Sequence, residues 1–148
     1  CDFVIGGCGT GQGFLNGVLQ FPGVVCGLIV EPLDAWLFSQ INGGNCVSLP
    51  LNKGYGWAGS INLEYIFEKL FADPAGAGYP KERAKSQAMS RQTLASISKL
   101  SHKDFTDILK ASDPEILKAI AGSKDFMKVL ADGGEKAKAV LELLGENR

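Results

Sequence analysis

The sequence predicts an α/β fold: a parallel sheet with helices on its faces, followed by an α-helical tail. Three observations carry this. Short apolar runs alternate with helix-spaced segments from Asp2 to Pro50. The connections between them are short, and strands joined through helices in one sheet run parallel. Near residue 88 glycine becomes rare and short amphipathic segments take over.

Residues 2–7, with Phe3, Val4 and Ile5, read as a buried strand, and residues 11–20 as a helix with an apolar face. Phe21-Pro22-Gly23 is a turn. The continuous apolar run Val24 to Val30 predicts a strand covered on both faces. Glu31-Pro32 opens the next helix, with proline near its first position. Leu33, Trp36, Leu37 and Ile41 recur at helical spacing, and Asn42-Gly43-Gly44-Asn45 ends the segment. Cys46 to Leu49 is a third strand, stopped by Pro50.

The run Leu51 to Gly59, with Tyr55 and Trp57, suits either a loop wrapped over a ligand or a surface loop with two packed aromatics. Ser60 is placed to cap a helix reaching Phe71, with Ile61, Tyr65, Ile66 and Leu70 along one side. Asp73-Pro74 ends it, and residues 75–80 make a flexible crossing. Lys81, Arg83, Lys85 and Arg91 read by themselves as a solvated helix face. In the tail Ser101, Ser112 and Ser123 are predicted N-caps, with Pro114 near a first helical position. Lys103-Asp104-Phe105 recurs weakly as Lys124-Asp125-Phe126, and a last helix runs from Glu135 to Leu144. The expected division is residues 1–87 and 88–148. Three strands alone make a narrow sheet with an open edge, and the sequence starts without Met inside a strand-like run. Further strands are therefore expected upstream.

A length of 148 residues with 45% apolar content suits one domain with an appendage. A net charge of −1 gives no electrostatic reason for a nucleic-acid or anionic-membrane partner. No apolar stretch is long enough to span a bilayer. Cys1, Cys8, Cys26 and Cys46 form no Cys-x-x-Cys pair, which argues against a zinc ribbon and a secreted disulfide framework. Reduced thiols of a cytoplasmic enzyme are the simplest account. His102 is the only histidine, so a His-rich metal site is excluded within this sequence. It reads as a surface residue. No metal or other cofactor is expected.

Chemistry concentrates in Cys8-Gly9-Thr10-Gly11-Gln12-Gly13. A strand, a glycine turn and an opening helix form an anion-binding arrangement, because the first helical N–H groups have no internal partner. A thiol at that point has its thiolate favoured and can act as a base or nucleophile. The glycines lack the dinucleotide-motif spacing, and no Gly-Lys-Ser/Thr follows. The hexapeptide equally suits a tight structural turn around an inert cysteine. In parallel sheets ligands bind beyond the carboxyl ends of the strands, where Cys8, Glu31 and Pro50 fall.

The pieces Cys8-Gly9-Thr10-Gly11-x-Gly13, Pro22-Gly23, Glu31-Pro32-x-x-Ala35 and Gln40-x-Asn42-x-x-Asn45 occur in one order. On them, residues 2–83 resemble the ribose-5-phosphate isomerase B / galactose-6-phosphate isomerase family. The resemblance implies a Rossmann-like three-layer sheet, a homodimer with shared active sites, and aldose–ketose isomerisation of a sugar phosphate. It makes Cys8 the base that moves a proton between C1 and C2. It gives Thr10 and the amides around Gly11 and Gly13 the task of holding the enediolate oxygen, and places Gly9, Gly11 and Gly13 among the substrate-binding residues. Asn42 matches a substrate-binding asparagine supplied by the partner subunit and Arg83 a phosphate-binding arginine, whereas the loop after Pro50 is longer than the family's, with Lys53 in place of a basic residue there. The sequence also departs from the family. Ile41 replaces the expected ring-opening histidine, and Tyr79 replaces a second phosphate arginine. The family's early Asp-His loop would lie upstream of Cys1. An open-chain substrate such as a tetrose phosphate fits these departures. Two functions follow: a sugar-phosphate isomerase, favoured by Cys8 beside Thr10, or a non-catalytic sugar-phosphate-binding protein, favoured by Ile41.

Overall fold

Three strands pair in parallel in the order β1-β3-β2, where β1 is Val4–Cys8, β2 Cys26–Leu28 and β3 Cys46–Pro50. The computed structural model describes residues 2–54 and 56–145. Val4 lies opposite Cys46, Gly6 opposite Ser48, and Cys8 opposite Pro50; on the far side of β3, Cys26 faces Cys46 and Leu28 faces Ser48. Side chains alternate along a strand, so Gly6, Cys8, Leu28 and Ser48 share one face, and Ile5, Gly7, Val47 and Leu49 the other.

The first face carries helix α1, Gln12–Val18. Gly6 is required there, because a Cβ would strike the ring of Phe14. The other face holds the core. Val47, Leu49 and Ile29 pack with Ala35 of α2, Pro32–Leu37, and with Ile66 and Leu70 of α3, Gly59–Leu70. Each such aliphatic side chain removed from water contributes about 1.5–3 kcal/mol. At the start of α2, a reciprocal capping box joins Glu31 and Asp34.

The helix read through Ile41 changes character midway. After Leu37 it widens into a π-helical turn, Phe38–Asn42, closed by Gly43 at φ 53°. That left-handed conformation favours glycine. The strand expected over 24–30 pairs only at Cys26–Leu28, with Val25 and Val30 exposed. Among the described residues β2 is an edge strand, so a run that suggested two-sided cover is covered less fully. In α3 the inward stripe is Leu63, Ile66, Phe67 and Leu70; Ile61 and Tyr65, expected with it, are about half exposed. Ser60 lies inside α3, and Ala58 takes the N-cap position. Trp57 is fully exposed. Tyr55, expected in the same loop, and Cys1 lie outside the described residues.

The chain divides into two compact units, Cys1–His102 and Lys103–Arg148. The change in composition near residue 88 falls inside α4, Ala84–Ser101, which belongs to the first unit. The second unit holds α5, Phe105–Lys110, α6, Pro114–Ala121, α7, Lys124–Ala131, and α8, Glu135–Gly145. These helices close on Leu109, Leu117, Val140 and Leu144. Ser123 sits at the N-cap of α7, but Ser101 and Ser112 are not caps. Their hydroxyls donate back to the carbonyls of Ile97 and Ile108, and the caps are Asp104 and Asp113. The Asp113 carboxylate accepts from the Glu115 amide at 2.8 Å. Among the described residues, no helix is long and apolar enough to cross a membrane.

Candidate active site

β1 delivers Cys8 to the carboxyl end of the sheet, and the chain turns at once into α1. The Gly11 amide donates to the Cys8 carbonyl at 3.1 Å. Gly11 is buried at φ 76°, and a Cβ there would lie 2.5 Å from Leu28 Cδ1 and 3.1 Å from the Pro50 nitrogen. Its carbonyl accepts from the buried Ser48 hydroxyl at 2.6 Å and from the Leu15 amide at 3.1 Å. The loop is thus fixed from the central strand below and from its own helix above.

This geometry aims the first amides of α1 at the sulfur. The Phe14 amide foremost holds the Cys8 thiol below the ordinary cysteine value. Partial burial opposes this, and the amides of Thr10, Gly13 and Gly11 add to the lowering. A Cβ on Gly13 would sit 3.5 Å from the sulfur. The Thr10 hydroxyl accepts from the Gln12 amide at 3.4 Å, which leaves its own proton free to donate outward. The loop after β3 joins the cluster through its backbone: Leu51 donates to the Cys8 carbonyl and Asn52 to the Gly9 carbonyl, both at 2.9 Å. Lys53 follows, exposed, with its amide on the Pro50 carbonyl at 3.0 Å. The structure thus brings Cys8, Thr10 and the three glycines together in one loop, with Lys53 on the neighbouring loop. An activated thiol beside aligned amides can take a proton from carbon and stabilise the oxyanion that results.

The other thiols contrast with Cys8. Cys26 and Cys46 are cross-strand partners; burial, with the Cys46 thiol adding to it, pushes Cys26 up to about 12. Iodoacetamide at neutral pH should therefore modify Cys8 at least about tenfold faster than Cys26, since the thiolate is the nucleophile. Peptide mapping over time reads the order, and equal rates would mean that Cys8 is not activated.

Asn42 and Arg83 come together elsewhere in the first unit. A pocket of about 410 Å³ includes Ile41, Asn42, Tyr79, Arg83, Gln87 and Arg91 in its lining. Asn42 is the last residue of the π-helical turn and is exposed. Arg83 ends a 3₁₀ turn, Lys81–Arg83, and its exposed guanidinium has no partner among the described residues. The Tyr79 ring meets Trp36 edge-on at 4.9 Å. No residue of the Cys8 loop lines this pocket. His102 is half-buried, its ring nitrogens 3.0 Å from the Ser98 carbonyl and 3.3 Å from that of Leu19. Asn52, Gln87 and Arg91 are additions to the residues picked from sequence; none stands in a motif, and only the fold brings them to the sites.

An open parallel sheet with a thiol and the first amides of a helix gathered at a strand end defines an α/β protein of the class whose ligand sites lie beyond the carboxyl ends of the strands. No protein-family model and no curated protein matches this sequence. Solved structures do. A 4-deoxy-L-threo-5-hexosulose-uronate ketol-isomerase complexed with a tartrate is 41% identical, with TM-score 0.93 over 99% of this chain and 68% of its own. The ribose-5-phosphate isomerase LacAB_rpiB from Vibrio parahaemolyticus is 43% identical, with TM-score 0.92 over 99% of this chain and 69% of its own. The type B ribose 5-phosphate isomerase of Leishmania infantum shares the fold at 18% identity and TM-score 0.54, over 66% of this chain. The chain belongs to the ribose-5-phosphate isomerase B / galactose-6-phosphate isomerase family.

Proposed function

We propose that the chain acts as an aldose–ketose isomerase on a sugar phosphate of the ribose-5-phosphate or galactose-6-phosphate type. The observation that carries this reading is the Cys8 thiol ringed by the amides of Phe14, Thr10, Gly13 and Gly11. The thiolate takes the proton from C2 of the open-chain aldose. The C–H electrons form the C1–C2 double bond of an enediolate, and the charge settles on the C1 oxygen. The amides around Gly11 and Gly13 and the Thr10 hydroxyl hold that oxygen, with Gly9 beside the substrate. The proton returns from the thiol to C1, the C2 hydroxyl proton passes to the C1 oxygen, and the ketose results with the thiolate restored. Asn42 binds a sugar oxygen, while Arg83 and Lys53 take the phosphate.

The enzyme works in the cytoplasm as a homodimer with shared sites. The separation of the Asn42–Arg83 pocket from the Cys8 loop supports a partner subunit bringing the two together. In this reading the sheet and its helices form a Rossmann-like three-layer domain, and the last helices are its extension. Ile41 offers no acid for ring opening, which favours substrates already in open-chain form.

A second reading concerns the anion alone. Among the described residues lining the pocket, Arg83 is the one cation not bonded to the chain's own carbonyls. A single guanidinium also suits a carboxylate, and one relative of this chain is a uronate ketol-isomerase. The test is to incubate the purified protein with ribose 5-phosphate, galactose 6-phosphate and 4-deoxy-L-threo-5-hexosulose uronate, following each by NMR. Turnover of a phosphate ester supports the first reading, turnover of the uronate alone supports the second, and no turnover contradicts both. Arg83→Ala should raise KM for the accepted anion by roughly tenfold or more, the cost of a lost charged hydrogen bond. An unchanged KM would return Arg83 to a solvated surface.

A further inference from the structure

Arg91 and Arg83 line the same pocket but differ in what they touch. The Arg91 guanidinium is half-buried and already occupied. Nη1 donates to the Ile41 carbonyl at 2.8 Å and Nη2 to the Gly76 carbonyl at 2.9 Å. Those two carbonyls belong to different segments. Ile41 lies in the last turn of the helix that ends at Asn42, and Gly76 lies in the crossing that leads to Tyr79 and Arg83.

A helix end leaves its last carbonyls without internal partners, and the negative end of its dipole favours a cation. Here the capping Gly43 amide meets the Phe38 and Ser39 carbonyls, and those of Ser39, Gln40 and Ile41 are met from other segments. The Ser39 carbonyl accepts from the Gly76 amide at 2.8 Å and the Gln40 carbonyl from the Gly78 amide at 2.9 Å. The Ile41 carbonyl takes Arg91. The fit is close on both sides. A Cβ on Gly76 would lie 3.1 Å from Arg91 Nη2, and one on Gly43 would lie 3.4 Å from Arg91 Cδ. One turn earlier on α4, Gln87 accepts from the Tyr79 amide at 3.0 Å and donates to the Tyr79 carbonyl at 2.6 Å.

We propose that Arg91 is a positioning residue: it caps the helix that presents Asn42, ties that helix to the crossing that presents Tyr79 and Arg83, and does not itself bind the substrate anion. This rests on the substrate-binding reading of Asn42 and Arg83 given above. The planar fork of a guanidinium matches the task, since it bridges two carbonyls in one plane. A lysine ammonium keeps the charge but does not reproduce that fork.

The test compares the full-length protein with Arg91→Lys, Arg91→Ala and Arg83→Ala in two arms. The first measures kcat and KM for whichever of ribose 5-phosphate, galactose 6-phosphate and 4-deoxy-L-threo-5-hexosulose uronate the wild type turns over. The second measures hydrogen exchange at the Gly43, Gly76 and Gly78 amides without any substrate. Arg91→Lys should lose kcat/KM as severely as Arg91→Ala, by about tenfold or more, and both should speed exchange at the three amides. Arg83→Ala should raise KM and leave exchange at the wild-type rate. Arg91→Lys keeping most of the activity that Arg91→Ala loses would overturn the proposal, because charge alone would then suffice. Unchanged exchange in both Arg91 variants would overturn it as well. A wild type inactive on all three compounds would contradict the isomerase reading alone, and the exchange arm would still decide the clamp. Should Arg91→Ala fail to fold, Arg91→Lys carries the decision.

Discussion

Replacing Cys8 with alanine is expected to lower turnover by roughly 10²–10⁴-fold, the usual contribution of a positioned acid–base group, while the fold and binding of the phosphate ester persist. The sulfur lies at the surface end of β1, and the sheet core of Val47, Leu49 and Ile66 lies on the opposite face. Its removal therefore takes away chemistry before it takes away packing. Cys8→Ser should be nearly as impaired, because the same amides cannot bring a hydroxyl to ionise near neutral pH. The pH profile follows from the direction of the shift. The base must be the thiolate, and the Phe14 amide with its neighbours holds the thiol below the ordinary value. Activity should fall as pH drops through that lowered pKa, with the midpoint of the profile below the ordinary cysteine value of about 8.5. A midpoint at or above that value would mean that the amides do not act on the sulfur.

Gly11→Ala should produce the second large effect, and on two levels at once. A left-handed φ of 76° is strained for alanine, and the new methyl would meet Leu28 and the Pro50 backbone. The expected loss of stability is about 1–3 kcal/mol. Relief of that crowding must lift the loop off the central strand and carry the Gly13 and Phe14 amides away from Cys8. So kcat should fall and the Cys8 thiol should move back toward its ordinary value. Gly17, in the same helix with nothing near its would-be Cβ, is the control. Gly17→Ala should be stabilising by roughly 0.5–1 kcal/mol, as for any open helical glycine. Thermal unfolding and the pH profile of both variants check the pair. Equal melting of Gly11→Ala and wild type would contradict the account of the loop.

The Cys8 loop was legible because its grammar is local: strand, glycine turn and helix start lie within a dozen residues or so, and the unpaired amides follow from the helix itself. The parallel order of the strands was legible for a similar reason, since short strand–helix–strand connections allow little else. What depends on distant neighbours was not. Cys26–Leu28 is a short edge strand because only β3 pairs with it among the described residues, and apolar composition cannot report a missing neighbour. Ser112 and Asp113 are adjacent residues of similar capping preference, and only the position of Pro114 within the helix makes the aspartate the cap. Arg83 and Arg91 look alike in a charged stretch. One lines the pocket with no partner among the described residues and the other holds two carbonyls, and that difference exists only once Ile41 and Gly76 have been folded against α4.

If Cys8 moves the proton at C2, exchange of that proton with deuterated water reveals it most directly. The wild type, given its accepted aldose in deuterated buffer, should wash deuterium into C2 of recovered substrate. Cys8→Ala, folded and still binding the same compound by calorimetry, should show no exchange above the uncatalysed rate. Exchange by the alanine variant at the wild-type rate would contradict the assignment and leave Cys8 a structural residue of the loop.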